Sequence, residues 1–449
     1  MDRVRQLFQQ DQPYEPLDGG SETPEGARIE QEEDKETFSW LDYSIFLLLG
    51  VAMLWAWNMF LAAGPYFQSR FRSDENILHT FQSAQLSVST IVNLGSMLIL
   101  AKLQASASYP KRIMAALLIS IVTFTLLAIS TRHFLDVSAK GYFGFMIIMV
   151  GAASFGTSLC QNGVFAYVSG FGREEYTQAI MTGQGVAGVL PAIAQIVSVL
   201  STPTEHLGDE EAADQGSKSA FAYFMTATAI SALTLVAFVY IHSKRNSADV
   251  KHITDSIGDL RNTSSGPVRE PVPLLTLLRK LFWLSAAVFL TFAITMVFPV
   301  FTQEIKSIHP IDSAPRLLQP ASFIPLAFLF WNIGDLIGRI LPAFPNLSLT
   351  SKPRLVFALS VSRVMFIPLY LLCNVGGRGS KVDSDAFYLI VQLLFGFTNG
   401  FLGSTCMMGA VEWVDVEERE AAGGFMGLCL VAGLTAGSLA SFVVAGALL

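Results

Sequence analysis

Eleven stretches of this chain are apolar and close to the ~20 residues that a helix needs to cross the hydrocarbon core of a bilayer. They lie at residues 42–63, 80–103, 112–131, 141–169, 176–200, 218–242, 281–304, 319–343, 353–374, 386–411 and 421–447. No other feature restricts the fold as much. In lipid, each backbone N–H and C=O must find a partner inside the protein, so such stretches become helices packed on helices. Composition points the same way: 52% of the 449 residues are hydrophobic, 14% are charged, and mean hydropathy is +0.48. These values are foreign to soluble domains. The sequence predicts an all-α polytopic protein of the lipid bilayer.

Several functional classes fall away. The net charge of -7 comes mostly from the N-terminal residues and one acidic connection, and no basic patch with interleaved aromatics suggests nucleic acid. Cys160, Cys373, Cys406 and Cys429 sit in apolar stretches, without the spacing of a disulfide framework or a metal site. The six histidines are scattered, so neither a metal nor a cofactor is expected, and no obligate protein partner is evident. Residues 1–41 are polar and acidic and read as a disordered tail without a signal peptide. Within them Tyr14-Glu15-Pro16-Leu17 matches a tyrosine-based endosomal sorting pattern.

One connection stands apart. Residues 243–280 are polar and basic, contain three prolines, and form the longest break between spans. The division there gives a tail (1–41), a six-helix bundle (42–242), a linker (243–280) and a five-helix bundle (281–449). Lys and Arg in the connections assign the sides. With the N-terminus in the cytoplasm, cytoplasmic segments hold 18 of these residues and the opposite side 9; Arg339 and Arg363, inside spans, complete the 29. The C-terminus is then extracellular or luminal.

Polar residues inside the spans carry the functional signal. Asp335 and Arg339 lie in the eighth span, SFIPLAFLFWNIGDLIGRILPA, where each charge costs roughly 3 kcal/mol on insertion scales. Their i, i+4 spacing puts both on one face, acid first, the favourable order for an ion pair. That face should look inward, at a partner or a water-filled cavity. Trp57 and Asn58, Gln161 and Asn162, Asn332, and Thr398, Asn399, Ser404 and Thr405 add amides, hydroxyls and an indole from other spans. Their convergence would make a polar cavity near the midplane, suited to a small hydrogen-bonding solute. Plainer roles stand beside these. Trp57 also fits an interfacial anchor, Gln161 and Asn399 fit interhelical glue, and Asp335–Arg339 fits a structural brace. Arg363, close to a span end, reads as a snorkelling side chain more than a substrate contact. Gly183-Gln184-Gly185-Val186-Ala187-Gly188 matches GxGxxG, but it lies inside an apolar helix. There glycines serve close helix approach, not a dinucleotide. Gly423/Gly427 and Gly433/Gly437 repeat that theme, and Pro191, Pro299 and Pro325 should bend their helices.

Taken in order, these residues resemble the equilibrative nucleoside transporter family. Leu54-Trp55-Ala56-Trp57-Asn58-Met59-Phe60-Leu61 with Tyr66-Phe67 is similar to its opening helix, and Ile180-Met181-Thr182 through Gly188 to its fifth. Asp335-Leu336-Ile337-Gly338-Arg339 matches its Asp-x-x-Gly-Arg pattern, and Arg363 to Pro368, Asn399-Gly400 and Cys406-Met407 follow in family order. The resemblance implies a major-facilitator-like fold, six helices plus five, enclosing one nucleoside between the bundles. It implies that Trp57, Leu54 and Leu61 line the pocket, that Gln161 hydrogen-bonds the base, and that Asp335 and Arg339 contact the ribose hydroxyls, supported by Asn332. Trp55-Ala56 replaces the usual Leu-Pro, so the first helix should be straighter. That change and the charged Arg173-Glu174-Glu175 resemble fungal members, some of which reside in the vacuole.

The implied chemistry is coherent. A carboxylate accepts from vicinal hydroxyls and a guanidinium donates to them. An indole and a carboxamide suit the flat face and polar edge of a base. A neutral solute requires no ion gradient. The leading expectation is facilitative transport of nucleosides, with nucleobases as a further substrate class, at a vacuolar, lysosome-like or plasma membrane. The rival carrier is proton-coupled, with Asp335 as proton acceptor. An intramembrane enzyme would need a Ser–His pair, paired aspartates or a metal cluster at depth, none of which is present. A receptor or scaffold gives no reason to bury Asp335 and Arg339.

Overall fold

The computed structural model describes residues 38–104, 107–201, 209–257, 272–310 and 314–448. The Tyr14 pattern, the tail up to residue 37 and residues 258–271 of the linker lie outside the described residues. Among the described residues there are fifteen α-helices and no strand beyond one isolated bridge, Ile305 to Val375. The first seven are α1 (Trp40–Ala62), α2 (Gly64–Phe71), α3 (Glu75–Lys102), α4 (Tyr109–Arg132), α5 (Ala139–Ser169), α6 (Glu174–Ser201) and α7 (Asp209–Ile257). After residue 271 come α8 (Leu274–Lys280), α9 (Phe282–Thr295), α10 (Phe298–Glu304), α11 (Pro320–Ile340), α12 (Pro353–Ser362), α13 (Phe366–Leu371), α14 (Asp385–Gly409) and α15 (Arg419–Leu448). Eleven helical segments are long and apolar enough to span a bilayer, matching the eleven stretches read from the sequence. Ile91, Ile99, Ile148, Leu233 and Val236 are among the large apolar side chains left exposed, a pattern that suits helices packed in lipid.

Local chemistry sets the helix limits. Ser39 accepts from the Asp42 amide at 3.3 Å and Ser384 from the Phe387 amide at 3.2 Å, two N-caps with an acid in the first turn. α1 runs unbroken to Ala62, in keeping with Ala56 where a proline was the family pattern. The seventh span breaks after Thr295, because Pro299 lacks an N–H and its ring would collide with the carbonyl four residues back. The ninth span is interrupted: a 3₁₀ turn at Arg363–Met365 separates α12 from α13, with Pro368 four residues beyond Val364. Beyond the apolar stretch of the sixth span, α7 continues through the first part of the linker to Ile257. Pro191 and Pro325 lie inside helices that continue through them.

Packing sorts the helices. α1 lies against α6 and α7, and α5 against α3 and α4; in the second half α11 lies against α14, and α9 against α12, α14 and α15. The two sets meet where α6 touches α11 and α15 touches α5 and α3. Glycines set the closest approaches. A side chain on Gly334 or Gly338 would strike the α14 backbone at Leu393 or Phe397, and one on Gly396 or Gly400 would strike α11 at Trp331 or Asp335. The GxGxxG glycines do what the helical reading requires: Gly183 faces the α1 backbone at Leu47, while Gly185 and Gly188 face Leu336, Arg339 and Asn332 of α11.

Candidate functional site

The glycine contacts place Asp335 and Arg339 of α11 between α6 and α14. Both are buried, at 3% and 4% exposure, and Arg339 Nε donates to Asp335 Oδ2 at 2.6 Å. Arg339 Nη1 reaches across to α6, donating to Gln184 Oε1 at 2.8 Å and the Met181 carbonyl at 3.2 Å. Asp335 Oδ1 accepts from Asn399 Nδ2 of α14 at 2.6 Å. Each Asp335 oxygen therefore has a donor, whereas Arg339 Nη2 has no hydrogen-bond partner among the described residues.

The network continues into the second half of the chain. Thr295 Oγ donates to Asn399 Oδ1 at 2.7 Å, and Arg363 Nη2 donates to Thr295 Oγ at 3.0 Å. Arg363 does not snorkel. It is 1% exposed, donates from Nε to Thr398 Oγ at 3.1 Å and from Nη1 to the Thr291 carbonyl, and lies 4.6 Å from the Phe395 ring centroid. The turn that interrupts the ninth span aims it inward instead of along the helix toward an interface. It sits ten residues into the span, roughly 15 Å at the helical rise, too deep for its head to reach water along the helix.

The other site candidates lie on neighbouring elements. Asn332 is one turn from Asp335, half-buried, bonded to the Phe328 carbonyl at 2.8 Å and packed against Gly188. Leu54, Trp57 and Leu61 share one face of α1 by their i, i+3, i+7 spacing. Leu54 and Trp57 are half-buried and Leu61 is 52% exposed; Trp57 stacks on Phe60 at 6.2 Å. Asn58 beside them is tied to the Ala187 carbonyl of α6 at 2.7 Å. Gln161 of α5 is 6% exposed, and its carboxamide bonds to no described residue. Of the seven candidates, Asp335, Arg339 and Asn332 meet at the α6–α11 contact, and none of the other four bonds to Asp335 or Arg339. Sequence reasoning missed Gln184 and Thr295 as site partners. Gln184 carried a signal, a lone amide between two packing glycines, while Thr295 looked like any helical threonine.

The chemistry follows from the donors. A carboxylate held by two donors, beside a guanidinium with one free nitrogen, can take a hydroxyl-bearing solute by exchanging hydrogen bonds within a buried set. No group of His, Cys, Asp and Glu side chains that could hold a metal ion is found among the described residues.

Comparison with known proteins gives the context. A family model described as nucleoside transporter matches residues 146–445. Nucleoside transporter FUN26 of Saccharomyces cerevisiae is 33% identical over 446 residues, covering 90% of this chain and 84% of that one. Human equilibrative nucleoside transporter 1 is 29% identical over 472 residues, covering 92% and 98%. Among solved structures, the major facilitator superfamily transporter FucP in its outward conformation aligns with a TM-score of 0.57 at 12% identity, covering 91% of this chain and 96% of that one. The proton:xylose symporter XylE aligns with a TM-score of 0.57 at 12% identity, covering 90% and 87%. At such identity these structures speak to the fold alone, and that fold is the one expected.

Proposed function

Because this chain belongs to the equilibrative nucleoside transporter family, we propose that it carries nucleosides across a membrane by facilitated diffusion, changing no covalent bond. The observation that carries this reading is the buried Asp335–Arg339 pair bridging α11 to α6, with one guanidinium nitrogen left for a solute. Residues 42–242 and 281–449 act as the two rocking bundles, and the pair lies where they touch, as alternating access around a central site requires. Asp335 and Arg339 engage the ribose hydroxyls, Gln161 the base edge, and Leu54, Trp57 and Leu61 form the apolar wall, with Asn332 bracing Arg339's face.

The facilitative form is preferred because a neutral solute needs no ion gradient, and both Asp335 oxygens are already held by donors, Asn399 Nδ2 and Arg339 Nε. The excess of Lys and Arg, 18 against 9, supports an N-terminus and linker in the cytoplasm. A vacuolar or plasma membrane is the proposed location, tested by imaging a fluorescent fusion. The direct test of function is radiolabelled adenosine or uridine uptake into vesicles holding the purified protein, challenged by a panel of nucleosides and bases. Uptake that no nucleoside competes for would overturn the proposal; uptake that needs a pH gradient would replace it with the proton-coupled form.

A further inference from the structure

Arg363 is the largest fully buried side chain among the described residues, and it forms an ion pair with no described carboxylate. A cation at this depth in a membrane protein calls for a function. Its bonds have a direction. Arg363 Nη2 donates to Thr295 Oγ at 3.0 Å, Thr295 Oγ donates to Asn399 Oδ1 at 2.7 Å, and Asn399 Nδ2 donates to Asp335 Oδ1 at 2.6 Å. Each group accepts from the side of Arg363 and donates toward Asp335, so the chain is polarised from cation to carboxylate.

Two details hold it that way. The Thr295 hydroxyl has one hydrogen and two acceptors in range, its own Thr291 carbonyl at 2.7 Å and Asn399 Oδ1. Arg363 Nη1 already occupies the Thr291 carbonyl, in addition to the amide that the helix itself supplies there, which leaves the hydrogen for Asn399. Asn399 cannot be turned over, because Asp335 only accepts and the amide nitrogen must face it. We infer that Arg363 is a positioning residue for Asp335, acting through Thr295 and Asn399 to hold the carboxylate where it meets a ribose hydroxyl. It links the ninth, seventh, tenth and eighth spans without touching the solute. The inference rests on the ribose reading of Asp335 given above.

The test separates the two. Flux of uridine and of 2′,3′-dideoxyuridine, which lacks both hydroxyls, is measured in vesicles for the wild type, Thr295→Val and Thr295→Ser. Thr295→Val cuts the relay while leaving Arg363's remaining bonds. Its preference for uridine should fall at least tenfold through loss of uridine flux, with dideoxyuridine flux kept, and Thr295→Ser should restore it. A purely structural Thr295 would lower both fluxes together. If Thr295→Val does not reach the membrane, Thr295→Ala removes the same hydroxyl without adding bulk and carries the comparison. A wild-type preference that survives in the hydroxyl-free variant overturns the relay alone. A wild type that carries both solutes equally overturns the ribose assignment, and the inference with it.

Discussion

Gly400→Ala tests how the site is held without altering any group that bonds within it. A Cβ at position 400 would lie 2.8 Å from the Asp335 carbonyl carbon, 2.9 Å from the Arg339 amide nitrogen, and nearer still to the Asp335 carbonyl oxygen. Ordinary contact begins at 3.4 Å, so the carbon alone demands an opening of 0.6 Å (3.4 less 2.8), and the oxygen raises the demand above 1 Å. Backbone on both sides leaves no flexible side chain to give way. Separating α11 from α14 by that amount stretches the 2.6 Å Asn399–Asp335 bond to about 3.6 Å, past hydrogen-bond range. A hydrogen bond to a charged group contributes about 1.5–3 kcal/mol, so its loss should lower nucleoside flux by roughly 10- to 150-fold. Overpacking should lower stability by about 1–3 kcal/mol as well. The control is Gly95→Ala in α3, where a Cβ meets nothing within 4 Å and helix propensity improves. The assay is initial-rate uridine uptake into vesicles, normalised to inserted protein, with a thermal melt of the detergent-solubilised carrier. Wild-type flux and melting temperature in Gly400→Ala would refute the claim that backbone contact sets the geometry of Asp335.

Three further expectations follow from the same geometry. Asp335→Asn puts a second amide against Asn399 and Arg339, both donors at 2.6 Å, so it should lose nucleoside uptake while remaining folded, as should Arg339→Ala; full transport by both would remove them from the site. Gln161→Ala should shift the ratio of purine to pyrimidine uptake more than the maximal rate, and an unchanged ratio would contradict base recognition by its carboxamide. Lys280, ahead of the seventh span, pairs with Asp415 at 2.7 Å and Glu418 at 2.6 Å; this raises the lysine above its ordinary 10.5 and lowers Asp415 below its ordinary 3.8, hydrogen bonding being the main cause in each. Asp415's contribution to stability is therefore complete above about pH 4 and is lost on further acidification, while that of Lys280 is complete below about pH 10.5 and is lost above it. The melting-temperature difference between wild type and Lys280→Met should be flat between these limits and shrink outside them; a difference that grows below pH 4 would be incompatible with the pairing.

The helices themselves were legible in the chain, and for a local reason. Lipid supplies no hydrogen bonds, so runs of ~20 apolar residues must become helices wherever they later pack. The Asp335–Arg339 pair was legible on the same grounds, since i, i+4 spacing makes partners within one helix. The glycines of residues 183–188 could be read as packing surface because their setting was apolar. Which helices they pack was hidden, and it took the fold to show Gly183 facing α1 while Gly185 and Gly188 face α11. Arg363 shows the limit most clearly. An isolated arginine in an apolar span reads from sequence as a snorkelling side chain, yet a proline-associated turn and two threonines some seventy residues away hold it inward. Thr295 and Gln184 gained their roles only from neighbours distant in the chain. Burial in lipid is a property of a segment, so composition determines it. A hydrogen bond between spans is a property of two segments at one register, so it exists only after the helices have met.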